Sequence, residues 1–262
     1  MNRLLPVALM VAAVCALSAD ARQQAKPKST ARREPAVPFK VGEMLTYDVG
    51  WSTYLTAGSA TMSVIDKKPS SNSIVYSIVA EGRPSSLLSA LYSLSYKVET
   101  LLDSYALLPE WASVFSQEGR RQRTKVTTFD HVARKARYEV RTATIVRKDI
   151  PITAQTLDAL SALYVLRTMP LRAGDRFSMS VCDNGNVYAV QIAVGGVESI
   201  TTGIGAVSAI RVTPTIMAPE SQSPGAGFVI WLTNDARRLP VRMEAQLLVG
   251  KFALALRQAS GV

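Results

Sequence analysis

The stretch Phe177-Ser-Met-Ser-Val-Cys182-Asp183-Asn184-Gly185-Asn186-Val187-Tyr-Ala-Val-Gln-Ile-Ala-Val194 decides the fold class. Two runs rich in β-branched and apolar residues flank Asn184-Gly185, a pair suited to the positive φ angles of a two-residue hairpin turn. Working outward, the same pattern repeats. Towards the N-terminus, residues 45–51, 59–65, 73–80, 96–102, 111–117, 122–129 and 135–140 read as strands. In 73–80, Ile74, Tyr76 and Ile78 alternate with Val75, Ser77 and Val79. Towards the C-terminus, Gly195-Gly196 reads as a second turn, opening a strand through Ile200. Asn234-Asp235 separates runs 228–232 and 240–249, with Pro240 at a strand start or sheet edge, and 251–256 closes the series. The pattern predicts a mainly β fold of about twelve strands. They form a single antiparallel, strongly curved sheet, or an open or closed barrel, with one or two short helices packed against it.

Two segments break the alternation. Thr156 is placed to cap a helix with Asp158 in its first turn and with Leu157, Leu160, Ser161 and Tyr164 on one face; Met169-Pro170 ends it. Residues 84–94 form a second helical candidate, whose Leu87, Leu88, Leu91, Tyr92 and Leu94 give it a large apolar surface.

The domain organisation follows from composition. Arg3, the apolar run 4–17 and the small residues of Ser18-Ala19-Asp20-Ala21 make residues 1–21 a cleavable signal peptide, too short to span a bilayer comfortably. Val14 precedes Cys15 where a lipidation signal needs a small residue, so no lipid anchor is expected. Residues 22–38 carry three prolines, several basic residues and almost no apolar ones, and read as a disordered leader. A single β-rich domain is expected over 39–258. With 48% hydrophobic residues in 262, it has enough apolar material for a core without disulfides or metals. After cleavage the expected compartment is the periplasm, and Cys182 is left as a lone thiol that reads as a small buried hydrophobe.

No catalytic constellation emerges. The single histidine, His131, lies between two strands and reads as a solvated turn residue. No group of His, Cys or carboxylates has metal-ligand spacing, and nucleophile-elbow, phosphate-loop and dinucleotide motifs are missing. The expectation is a non-enzyme without cofactor or metal. Asp158, Ser161 and Arg167 recur at three-residue multiples along a mainly apolar helix. Either they brace the helix against the sheet, or they form a polar strip at a cavity mouth where Arg167 meets an anionic headgroup. The three tryptophans, Trp51, Trp111 and Trp231, fall in strands and are expected to pack in the core.

Charge is unevenly spread. Residues 120–148 hold ten Lys or Arg and two acids, a net of eight of the chain's formal +10. Arg121, Arg123 and Lys125 share one strand face by period two, and Arg137 and Arg141 share one on the next strand. Pairing through a turn at Asp130-His131 would make this a basic face, solvated or turned to an anionic membrane or envelope polymer. It lacks the interleaved aromatics of a nucleic-acid site.

Several stretches together resemble a known family. Pro38-Phe39-Lys40-Val41-Gly42-Glu43-Met44-Leu45-Thr46-Tyr47, then Val49-Gly50-Trp51 and Ala57-Gly58-Ser59-Ala60, resemble the opening of the bacterial domain of unknown function 3108. Asp158 to Tyr164 with Arg167 and Pro170-Leu171-Arg172-Ala173-Gly174 is similar to its mid-domain helix. Trp231-Leu232-Thr233-Asn234-Asp235 with Arg238-Leu239-Pro240-Val241 is similar to its late hairpin. The resemblance implies an exported β-rich protein with no assigned catalytic residues. By fold-level analogy it also implies an open half-barrel like that of periplasmic lipoprotein carriers. The functional expectation is a non-catalytic periplasmic protein binding a lipid or other amphiphile in a half-barrel, through Leu87, Leu88, Leu91, Leu160, Tyr164 and Arg167. The alternative is a cell-envelope scaffold docking through the basic strand face. The sequence carries no reading of oligomeric state.

Overall fold

The computed structural model describes residues 33–51, 55–71, 73–91, 94–217, 227–247 and 250–262, without the side chains of 55, 56, 87, 88, 91 and 247. The first half of the chain forms β1 (Met44–Trp51), β2 (Leu55–Pro69), β3 (Ile74–Pro84), α1 (Ser86–Leu91), β4 (Leu94–Asp103), β5 (Pro109–Glu118), β6 (Arg121–Asp130), β7 (Lys135–Arg141) and β8 (Ile145–Pro151). There follow β9 (Thr156–Leu157), α2 (Ala159–Thr168), β10 (Arg176–Asp183), β11 (Asn186–Thr202), β12 (Gly205–Met217), β13 (Gly227–Thr233), β14 (Pro240–Leu247) and β15 (Gly250–Ser260).

The fifteen strands make one sheet, ordered β8-β7-β6-β5-β4-β3-β2-β1-β15-β14-β13-β12-β11-β10-β9. Each half is a meander, and the two join where β1 pairs with β15. Every ladder is antiparallel except the short β9–β10 pair. The strand count exceeds the expected twelve for physical reasons. Arg147-Lys148-Asp149 hides the alternation of β8, and β9 has only two residues. In β12, Pro214 interrupts the pattern, yet it lies beyond the β12–β13 ladder, which covers only Ala209 to Val212. Its missing N–H therefore costs nothing on that side.

β7 and β11 stand eleven places apart in the sheet order. A flat sheet at ~4.8 Å per strand would separate them by about 50 Å. Instead, Ala112, Phe129, Ala136 and Ile150 of β5 to β8 share an apolar cluster with Cys182 of β10 and Val187 of β11. Lys148 Nζ donates to the Gly185 carbonyl at 3.1 Å, and Lys125 Nζ donates to Asn184 Oδ1. The sheet bends round until its flanks touch through side chains, while the end strands β8 and β9 share no ladder.

Inside the bend lies α2. Leu160 and Tyr164 enter a core with Leu45, Tyr47, Ile78, Leu102 and Leu256. Leu166, with Leu157 just ahead of the helix, joins Met179, Ile192 and Val212 on the other side. The helix is capped by Asp158, whose Oδ1 accepts from the Leu160 and Ser161 amides at 2.9 and 3.1 Å. Thr156, the expected cap, sits instead in β9, and its hydroxyl bonds Ser180 at 2.9 Å. The carboxylate wins because it reaches two orphan amides at once.

Other sequence readings change too. The Asp183↔Asn186 hairpin forms as read, with Asn184 at φ 50° and Gly185 at φ 75°. Gly195-Gly196 is not a turn: β11 runs through it with a bulge between Val194 and Val197, and a glycine pair reads the same for both features. The turn falls later, between Thr202 and Gly205. Residues 33–38, read as part of the leader, belong to the same compact unit as the sheet, and Glu34 accepts from Lys67 at 2.5 Å and Ser104 at 2.8 Å. His131 is half-buried, stacked on Phe129 with its Nε2 2.8 Å from the Pro109 carbonyl oxygen. Trp231 is buried, but Trp51 is exposed at the end of β1.

The flank contact generates a test. A Cβ on Gly185 would stand 2.8 Å from Tyr138 Cδ1 and would have to adopt a positive φ. Gly185→Ala is expected to lower stability by about 2 kcal/mol in urea denaturation. In a Tyr138→Ala background the same change should cost less, by about 0.5 kcal/mol or more.

Candidate functional site

Of the residues singled out for ligand contact, Arg167 has the most complete set of partners. Its side chain is fully buried, and its guanidinium grips Glu43 in a fork, with Nη1 on Oε1 and Nη2 on Oε2, both at 2.7 Å. Nη2 also lies 3.3 Å from the Arg237 carbonyl and 3.4 Å from that of Pro38. The Phe39 ring lies 5.5 Å and the Tyr164 ring 4.9 Å from the guanidinium, the two rings packed edge to face at 5.0 Å on the same side. Tyr164 Oη reaches the same carboxylate at 3.4 Å. Burial pushes the Tyr164 hydroxyl far above its ordinary range, with the Glu43 charge adding to it, so it stays a donor. Only Nε of this arginine lacks a partner. Arg167 therefore holds the helix to the N-terminal segment and cannot meet an anionic headgroup.

At the other end of α2, Thr100 Oγ1 of β4 donates to Asp158 Oδ2 at 2.8 Å and lies 2.9 Å from Ser161 Oγ, which itself donates to Asp158. Burial raises the Asp158 carboxyl from its ordinary value, against the hydroxyl and amide bonds that pull it down. No imidazole stands by Ser161. Asp158, Ser161 and Arg167 all brace the helix, the first of the two readings given above.

Leu160 and Tyr164 are packed in the core. The side chains of Leu87, Leu88 and Leu91 lie outside the described residues, though α1 itself is formed. The basic residues do not make one face. Thr124 pairs with Arg141 and Thr128 with Arg137, so Arg121, Arg123 and Lys125 sit on the side of Tyr138, and Arg137 and Arg141 on the opposite side. Glu139 further takes Arg141 at 3.0 Å and Arg147 at 2.9 Å.

The space suited to a ligand lies elsewhere. A cleft of about 520 Å³ opens beside α2, between the β4–β5 turn, the segment leading into β9, and β10. Leu107, Leu108, Leu157, Val165, Met169 and Met179 give it apolar walls; Thr153, Gln155, Ser178 and Ser180 add uncharged polar groups. Leu107 is placed there by a backbone φ of 55°, which no periodicity in the sequence announces. Among the described residues no three His, Cys, Asp or Glu side chains cluster as metal ligands, and no helix is long and apolar enough to cross a membrane.

The profile of the family described as protein of unknown function DUF3108 matches residues 46–257. The chain belongs to the DUF3108 family. Its family-like stretches converge in space: Phe39, Glu43 and Tyr47 from the first, Tyr164 and Arg167 from the second, and the Arg237 and Pro240 carbonyls from the third. Tyr47 Oη closes the set by donating to Pro240 O at 2.9 Å. Gly58 of the Ala-Gly-x-Ala stretch passes so close to β3 that a Cβ would stand 2.1 Å from the Arg83 carbonyl. Sequence reading missed Glu43 as a partner; the signal was an arginine in an apolar helix, which needs a buried counter-charge.

No curated protein matches this DUF3108 chain. Among solved structures, a β-barrel-like protein of domain of unknown function DUF1849 from Brucella abortus aligns over 85% of this chain and 98% of its own, with TM-score 0.53 and 9% identity. A Bacteroides fragilis protein described as exported with a YmcC-like fold covers 87% of this chain and 100% of its own at TM-score 0.34 and 13% identity. A Parabacteroides distasonis protein described as a lipoprotein does so at TM-score 0.35 and 11% identity, with the same coverages. The first likeness is one of fold alone.

Two outcomes follow. Arg167→Met or Glu43→Gln alone should lower stability by about 3–5 kcal/mol in urea denaturation, by stranding the other charge. The double change Glu43→Leu with Arg167→Met should recover part of that loss. Burial, with Asp183 and Asp158 nearby, pushes the Cys182 thiol up to about 11. In a Cys15→Ser chain at pH 8, iodoacetamide should alkylate Cys182 only once denaturant is added.

Proposed function

We propose that this DUF3108 protein is an exported, non-catalytic protein of the periplasm that holds an apolar or amphiphilic small molecule in the cleft beside α2. The observation that carries this reading is the cleft itself. It has the volume of a small-molecule site, apolar walls and a few uncharged polar groups to orient a ligand, and no charged side chain lines it. Two methionines, Met169 and Met179, suit a ligand of irregular shape. The residues that resembled chemistry support the non-catalytic part, since Asp158, Ser161 and Arg167 are each engaged in holding α2. Export rests on the pattern of residues 1–21.

The ligand position differs from a half-barrel carrier in one respect. α2 and its leucines occupy the middle of the bend, so the bound molecule lies at the helix flank, not along the sheet axis. Ala106 and Gln155 are exposed residues of the cleft wall, so enlarging them fills the cleft without disturbing the core.

The test is a titration with cis-parinaric acid, a fluorescent acyl chain. The wild-type domain is expected to give a saturable rise in emission, and Ala106→Trp or Gln155→Trp to weaken binding by about tenfold, or about 1.4 kcal/mol. No saturable signal, or equal binding by both variants, overturns the proposal. Mass spectrometry of organic extracts of the periplasmic protein then names the natural ligand.

A further inference from the structure

Antiparallel strands with short connections send alternate turns to opposite rims of the sheet. One rim collects the end of β1 at Trp51, α1, the β5–β6 turn at Gly119-Arg120, the β7–β8 turn, the β10–β11 turn at Asn184-Gly185, and the start of β15 at Gly250. The end of β12 at Met217 and the start of β13 at Gly227 join it.

The exposed aromatic residues are not shared evenly between the rims. Trp51, Tyr96 and Phe228 are the exposed aromatic residues among those described, and all three lie on this rim. Trp51 stacks on Phe252 with ring centroids 6.0 Å apart, which fixes it as a ledge at the end of β1. Ile145, Val146 and Met217 are exposed on the same rim. The exposed apolar side chains at the other rim, Val41, Met44, Val132, Ile204 and Val262, include no aromatic ring. Single exposed apolar residues need no explanation, but three exposed aromatic rings confined to one rim do.

Charge gives the second half. Glu139, Glu244 and Glu81 on or near this rim are taken by Arg141, Lys251 and Arg83, while the exposed Glu118 accepts from the Tyr96 hydroxyl at 2.6 Å and Asp183 from the Asn184 amide at 2.7 Å. Arg120, Arg121 and Arg123 at the β5–β6 turn are exposed and form no salt bridge among the described residues. Aromatic side chains with a polar edge favour the headgroup level of a bilayer, and guanidinium groups beside them meet lipid phosphates. Neither signal alone holds a protein to a membrane, whereas the two combined give reversible binding.

We propose that this rim is a docking surface for a bilayer bearing anionic phospholipid, with Trp51, Tyr96 and Phe228 at headgroup level and Arg120, Arg121 and Arg123 on the phosphates. The surface is separate from the cleft beside α2, and the proposal stands whether or not the cleft binds a ligand.

The experiment is co-sedimentation of the mature protein with phosphatidylcholine vesicles, with and without roughly a quarter phosphatidylglycerol. Binding is expected only to the mixed vesicles, and high salt should reduce it. Trp51→Ala with Phe228→Ala, and separately Arg121→Glu with Arg123→Glu, should each weaken partitioning by about tenfold or more with circular dichroism unchanged. Val132→Ser, on the opposite rim, and Ala106→Trp, in the cleft, should leave it unchanged. If the two rim doubles lose their fold, single Trp51→Ser and Arg121→Gln variants replace them, with a smaller loss expected. The proposal is overturned by no sedimentation with either vesicle, by equal binding of folded rim variants, or by capture on soluble polyglutamate without vesicle binding.

Discussion

A guanidinium shut away from water must find its counter-charge within the protein, and in this fold that requirement ties together segments far apart in sequence. Arg167 sits on α2, Glu43 just ahead of β1, and the Arg237 carbonyl in the turn before β14. The gain from such a pair over an apolar substitute is small, because both charges are desolvated. Its value is in geometry. A forked Arg–carboxylate contact packed against an edge-to-face ring pair admits one orientation of the helix, and a slipped α2 would bury an unpaired charge. The Asp158–Ser161–Thr100 set fixes the other end of the same helix to β4.

Fixing α2 determines what the sheet can do. A sheet of fifteen strands with one apolar face must cover that face, and a single helix is too narrow to do it flat. Bending brings the flanks together around α2, and the Asn184-Gly185 turn meets Tyr138 and Lys148 where they touch. The middle of the bend is then filled. Open space remains where the helix does not cover the sheet, including its flank beside the β4–β5 turn, and at the rims. Both candidate surfaces lie at such places.

Much of this architecture was legible because antiparallel hairpins write themselves locally. Asn184-Gly185 and the alternation in β3 are signals carried by neighbours in sequence, and they held. What failed depended on distance. Whether Gly195-Gly196 turns or bulges is decided by β12 pairing alongside, and whether five basic residues share a face is decided by a one-residue register between β6 and β7. Arg167 is visible as a polar residue on a mainly apolar helix, but its partner lies 124 residues away, beyond any local pattern. The cleft was not legible at all, since it is bounded by turns and by the end of a helix, and no periodicity encodes an empty space.

Several of the residues that carry the family resemblance are consumed by the Arg167 cluster and the turns around it, although Trp51 stands out on the rim. A motif made of Phe39, Glu43, Tyr47, Tyr164 and Pro240 specifies how the chain closes on itself, and each member is satisfied by another. Such a motif can mark a family while saying nothing of its chemistry, because none of its polar atoms is left to face a ligand. Specificity in a scaffold of this kind can then reside in side chains outside those stretches: the cleft wall from Leu107 to Met179 and, on the rim, Tyr96, Phe228, Arg120, Arg121 and Arg123. Those positions can change without touching the ion pair, so one fold can be kept while what it binds is altered.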